Sequence, residues 1–293
     1  MIFESVNQNK TKTTFIVILF FILIGLFVYF LAYIFGEDSK LAFIIATIVS
    51  SISSIISYFL SDKIVIKANH AREATREEYL ELNEILEALC LGAGLPKPKL
   101  YVMDSSSPNA FATGRNPNNA VVCVTTGLLE KLDKYELEGV IAHELSHIKN
   151  YDILLSTVAT VMVGGISIIA DSISRGFFRS RSDDDDSKAS AIIMIIGLIF
   201  IILAPIFSKL LQLALSRNRE YLADSSAVQI TRNKDGLINA LKKISSDPNV
   251  VTTANKATAS MYIADPFKKE ERDSLFSTHP STANRIKRLE NIK

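Results

Sequence analysis

His143, Glu144, Leu145, Ser146 and His147 read H-E-x-x-H. On a helix, residues four apart lie one turn above each other on the same face, so both imidazoles can reach one metal ion while Glu144 stands beside it to handle a water proton. The chemistry this predicts is metal-assisted hydrolysis. A catalytic zinc site takes three protein ligands and leaves its fourth position to water, so a third ligand is needed. Two places offer one. In SRNREYLAD, Ser216 to Asp224, residues Glu220 and Asp224 are four apart. Glu220 can bind metal while Asp224 accepts a hydrogen bond from a ligand imidazole and fixes its tautomer. The same pattern also suits a solvated helix face with Arg217 and Arg219 as ion-pair partners. The other candidate is His279 in STHPSTANRI, where Ser281 reads as a helix cap and Arg285 falls on the helix that follows.

These residues need a scaffold. Around the H-E-x-x-H pair, Asp133 can cap a helix, Glu136 sits at the capping-box position, and Leu137, Val140, Ile141, Leu145 and Ile148 keep helical period as far as Asn150. Upstream, an apolar face of Leu80, Leu82, Ile85, Leu86 and Leu89 predicts a helix from Ala71 to Leu89, ended by Gly92, Gly94 and Pro96. Short strands are expected at Lys99 to Met103 and Ala120 to Thr125. Asn109 to Thr113 can pair with the latter across Gly114 to Asn119. SRNREYLAD is expected to continue a helix that begins in the apolar run before it.

The chain has 293 residues and a formal net charge of +1, which gives no electrostatic argument for nucleic acid. Its apolar residues are bunched into charge-free runs at Thr13 to Gly36, Leu41 to Ser61, Ile153 to Ala170 and Ala189 to Ser208. Runs of about 18 or more apolar residues read as membrane-spanning helices. The first is too long and bulky for a signal peptide and is followed at once by the second, so neither a soluble nor a secreted protein is expected. Lys10 and Lys12 before the first run, and Lys63, Lys67, Arg72 and Arg76 after the second, place the N-terminus and everything after Ser61 in the cytoplasm. The third run carries Gly164 and Gly165 at its middle, and at about 1.5 Å per residue it barely spans. It reads either as a true span or as one arm of a shallow re-entrant hairpin. Cys90 and Cys123 form no disulfide framework, and the Arg179 to Ser187 stretch reads as a solvated loop.

The segments HELSHIKNYD, SRNREYLAD and HPSTANRI come in this order, with two apolar runs before the first and two between the first and second. They resemble the HtpX family of membrane zinc metalloproteases, over most of the chain. The resemblance implies a mainly α protein with a small β-sheet, two to four transmembrane helices and a zincin-like metalloprotease domain. The domain order then reads 1–61 for an N-terminal hairpin, 62–152 for the first catalytic half, 153–208 for the second hydrophobic hairpin and 209–293 for the second catalytic half. It further implies one Zn2+ per chain on His143, His147 and Glu220, with Glu144 as general base and Asp224 behind the ligands. His279 and Arg285 match positions that shape the site or stabilise the oxyanion. PNAFATG, Pro108 to Gly114, resembles the edge strand on which such proteases lay the substrate backbone, which makes Asn109, Ala110, Phe111 and Ala112 the expected substrate contacts. The related CAAX prenyl proteases enclose a chamber with more spans than four runs provide. The implied function is an inner-membrane endopeptidase, both termini cytoplasmic, that cleaves damaged or misfolded membrane proteins. The alternative is a non-proteolytic scaffold or transporter with an incidental or structural metal site. Against it, the runs carry no charged residue for a transport path, and neither Cys90 nor Cys123 sits in a paired spacing that would complete a closed metal site.

Overall fold

The structure is a computed structural model that describes residues 2–34, 39–77, 79–162, 164–165, 217–254, 257–267 and 280–292. Two long apolar helices, α1 (Ile2–Ile34) and α2 (Ser39–Phe59), pack along each other. Small residues line their contact: a Cβ on Gly25 would lie 3.3 Å from the Ser50 hydroxyl, and Ala46, Ser50, Ser54 and Ser57 are buried. Close approach through small residues is how helices associate where no water drives them together. Their outer faces carry exposed Phe15, Ile18, Ile22, Phe43, Ile48 and Ile52, the surface that lipid covers at no cost. Among the described residues, Val6–Leu26 is long and apolar enough to cross a membrane. A second span results if α2 and α3 (Ser61–Ala68), bent by 70° at their junction, count as one. Arg115 holds that bend, donating from Nη1 to the Phe59 carbonyl at 3.1 Å. Of the third apolar run, the helix α7 (Asp152–Met162) is described. The fourth run and the acidic loop lie within 166–216, outside the described residues.

The expected helix at 71–89 begins later. Strand β1 (Arg72–Glu73) pairs antiparallel with β2 (Lys99–Met103), and Ala74 N–H donates to the Leu100 carbonyl, so the backbone there serves the sheet. Helix α4 (Leu80–Ala93) starts where the apolar period starts, burying Leu82, Ile85 and Leu86. Gly94 ends it in the left-handed conformation, φ 66°, which a residue without Cβ adopts freely.

β2 runs parallel to β4 (Ala120–Thr125), and β3 (Ala110–Gly114) returns antiparallel along β4's other side, giving the order β1-β2-β4-β3. After the short helix α5 (Thr126–Lys131) comes α6 (Lys134–Lys149). Its capping box is complete: Glu136 N–H donates to Asp133 Oδ1 at 3.0 Å, and Asp133 N–H donates to Glu136 Oε2 at 2.9 Å. This helix is the axis of the fold, touching the sheet, α4, α8 (Arg217–Thr231) and α9 (Lys234–Ser246). Leu137, Val140, Ile141, Leu145 and Ile148 join Leu237, Leu241 and Ile244 in one core. Each such buried side chain contributes about 1.5–3 kcal/mol. A C-terminal helix, α10 (Thr282–Glu290), closes over α8 and α9.

α6 and α9 approach closely enough to need glycine. A Cβ on Gly139 would meet the Leu237 backbone nitrogen at 2.7 Å and its Cα at 2.9 Å, whereas a Cβ on Gly92 in α4 meets nothing within 4 Å. Gly139→Ala is therefore expected to lower the thermal midpoint in detergent by several degrees, and Gly92→Ala to leave or raise it, since alanine favours helix by up to about 1 kcal/mol. Circular dichroism melts check this; equal responses would contradict the crossing.

Candidate metal centre

Because α6 lies in the core, its catalytic-type residues are buried with it: His143 is fully covered and Glu144 is 1% exposed. The one-turn spacing works as the pattern demands. His143 Nε2 and His147 Nε2 point at a common space, 3.2 Å apart. Helix α8 crosses α6 and delivers Glu220, whose Oε2 is 3.6 Å from His143 Nε2 and whose Oε1 is 3.7 Å from His147 Nε2. For an ion bound tetrahedrally at 2.0–2.1 Å, neighbouring ligand atoms stand about 3.3 Å apart. The donor set present fits a single metal ion, and this is the group among the described residues that can hold one.

The far nitrogen of each ring is held by a carboxylate. Asp224, one turn beyond Glu220, lies 2.9 Å from His143 Nδ1. Asp152, in the first turn of α7, lies 2.9 Å from His147 Nδ1. A proton fixed on each Nδ1 leaves each Nε2 lone pair facing the shared space, the arrangement metal ligation needs. Asp224 is itself held by Arg285 of α10, a two-pronged pair in which Nε donates to Oδ2 at 2.9 Å and Nη2 to Oδ1 at 2.6 Å. Nη1 donates to the Ile263 carbonyl at 2.8 Å. Burial works against the charge on Asp224, but Arg285 and His143 outweigh it and hold its carboxyl down at about 2. Burial disfavours charge on Arg285 too, and Asp224 overrides it, so the guanidinium keeps its proton more tightly than usual.

Glu144 has the opposite surroundings. Burial raises its pKa, only partly offset by the neighbouring His143 and His147. Neither carboxyl oxygen has a hydrogen-bond partner among the described residues. An orphaned carboxyl beside three convergent donors is placed to take up and release a proton from something bound in that space. The space is lined further by Ala112, Ser156, Arg219, Met261 and Tyr262.

The structure thus brings together His143, Glu144, His147, Glu220 and Asp224. Arg285 lies behind His143 and does not line the cavity. His279 falls outside the described residues. Of the expected substrate contacts, Ala112 reaches the cavity. Asn109 is turned inward, its Nδ2 donating to the Ala264 carbonyl at 3.0 Å; Ala110 accepts from Ile263 N–H at 2.9 Å, and Phe111 bridges to Tyr262. The chain's own 262–263 segment therefore occupies part of the β3 edge. Asp152 escaped the sequence reading, although its position five residues after His147, beyond the end of α6, is the signal that marks it.

An H-E-x-x-H helix completed by a carboxylate from a crossing helix defines a metallopeptidase of the zincin type. Residues 76–293 match the model of peptidase family M48. The chain is 46% identical to a Protease HtpX homolog of Dictyoglomus turgidum over 98% of this chain and 93% of that one. It is 44% identical to one of Listeria monocytogenes over the full length of both. The crystal structure of S. mikatae Ste24p shares the fold, with a TM-score of 0.50 at 20% identity, over 90% of this chain. The chain spans 61% of the length of that structure's chain. The protein belongs to peptidase family M48 and, within it, to the HtpX membrane metalloproteases.

The charges of the site predict its pH response. Burial and Arg285 oppose a proton on His143, but its contact with Asp224 and the neighbouring Glu220 carboxylate outweigh them and hold its pKa up at about 9. A metal ion must displace that proton, so apparent affinity is expected to fall up to tenfold for each pH unit below that value. Calorimetric titration of the chelator-stripped protein at pH 7, in buffers of different ionisation enthalpy, should report at least one proton released per metal; none would contradict the assignment.

Proposed function

We propose that this protein is a zinc-dependent endopeptidase of the inner membrane that hydrolyses peptide bonds in damaged or misfolded membrane proteins, with its active site and both termini in the cytoplasm. The observation that carries the hydrolytic reading is the meeting of the two histidines and Glu220, at ligand-to-ligand distances of 3.2–3.7 Å, beside the Glu144 carboxyl, which has no hydrogen-bond partner among the described residues. His143, His147 and Glu220 would hold a zinc ion, which would lower the pKa of the attacking water and polarise the scissile carbonyl. Glu144 takes the proton of the attacking water and passes it to the leaving amine, a task suited to a carboxyl whose pKa burial has raised. Asp224 and Asp152 keep the ligand rings in the tautomer that faces the cavity. Arg285 shapes the site by fixing Asp224, the one of its two implied roles that its buried two-pronged contact supports. By family resemblance His279 faces the developing oxyanion.

Extended substrate adds its backbone to the β3 edge at Ala112, which favours affinity with little demand on sequence. Residues 1–61 anchor the chain as a membrane hairpin, and the catalytic halves 62–152 and 209–293 assemble around the hydrophobic stretch 153–208. The lysines and arginines flanking the first two apolar runs support the cytoplasmic placement, and the quality-control role rests on the relatives' family.

Purified full-length protein in detergent should cleave casein with zinc present and stop when a chelator is added. Glu144→Gln is expected to keep full zinc content by elemental analysis while losing at least a hundredfold in rate, because the ligands stay and the proton carrier goes. Full-rate cleavage by that variant would sink the mechanism.

A further inference from the structure

We infer that Asn9, on the membrane helix α1, is a positioning residue of the metal centre, acting on His147 through Asp152. The inference rests on the reading of His147 as a ligand. Asn9 is buried, 141 to 143 residues from its partners in sequence. Its Nδ2 donates one hydrogen to Asp152 Oδ1 at 2.6 Å and the other to the Asn150 carbonyl at 3.0 Å. Both protons of the amide are used. The other oxygen of Asp152 meets His147 Nδ1 at 2.9 Å, and His147 Nε2 faces the ligand cluster. An unbroken path therefore runs from α1 to the metal position.

A second contact lies beside the first: Lys10 Nζ sits 4.3 Å from the centre of the Tyr151 ring. Residues 150–152 form the turn between α6 and α7, with Tyr151 in the left-handed conformation at φ 60°. α1 thus clamps this turn from the side chain of one residue and the backbone of another. A carboxylate shared between an amide donor and an imidazole keeps one orientation, and that orientation sets the ring's lone pair. The part of the chain that matches the family model begins at residue 76 and does not include Asn9. Zinc affinity is then a property of the full chain, membrane helix included.

The test is a double-mutant cycle on full-length protein in detergent, reading zinc affinity by competition with a chromophoric chelator. Asp152→Ala should weaken zinc 10- to 100-fold and Asn9→Ala about tenfold, the range found when partners of a metal ligand are removed. In the Asp152→Ala background, Asn9→Ala should cost nothing further, and kcat should fall with KM little changed. Additive losses would show that Asn9 only packs α1 against the domain and would overturn the inference, as would unchanged affinity in Asn9→Ala. If either alanine variant fails to accumulate, the cycle of Asn9→Ser with Asp152→Asn reads the same coupling. His147→Ala separates the two layers: retained zinc there defeats the ligand reading itself, whereas lost zinc with an inert Asn9 defeats only the inference.

Discussion

A carboxylate carried by one helix has to meet two imidazoles carried by another at a largely buried site, and the rest of the structure follows from that requirement. Glu220, Asp224 and Glu144 are each at most 3% exposed. Burying an ionised carboxylate costs several kcal/mol unless opposite charge and hydrogen bonds offset it. Arg285 offsets Asp224, a bound metal ion would offset Glu220, and burial raises the proton affinity of Glu144, whose carboxyl has no hydrogen-bond partner among the described residues. In the proposed mechanism, this unequal treatment of three neighbouring carboxyls separates a ligand, an orienting group and a proton carrier.

The same requirement explains the position of α6 in the middle of the core. A helix that must hold two rings within a few tenths of an ångström has to be fixed on every side. The sheet, α4, α8 and α9 do so, and the glycine at the α6–α9 crossing lets the backbones approach. Membrane and site are joined mechanically as well. The bend after α2 is held by Arg115 of the β3–β4 turn, and the turn after α6 is gripped by α1.

What could be read in advance was local. The capping box at Asp133 and Glu136, the helical period through Ile148, the hairpin of β3 and β4 and the Glu220–Asp224 pair are each written within a few residues, and each appears in the structure. The start of α4 was misread because Ala71 to Glu77 has no strong strand signal; two residues were drawn into the sheet by pairing with β2, a partner nearly thirty residues away. Long-range choices were also illegible for β2, whose parallel pairing with β4 leaves β3 at the edge, and for the 262–263 segment that bridges that edge. Asn9 forms no pattern on its own, since its meaning comes from a contact across 143 residues. The resemblance supplied the ligand set, while the geometry supplied the reason Arg285 turns away from the cavity.

The most direct test of the account is the coordination of the metal itself. X-ray absorption at the zinc edge of the purified full-length protein should show a first shell of nitrogen and oxygen only, at 2.0–2.1 Å, with the outer-shell scattering of two imidazoles. A sulfur shell at about 2.3 Å, or a six-oxygen shell with no imidazole signature, would contradict the assignment of His143, His147 and Glu220 as the ligands.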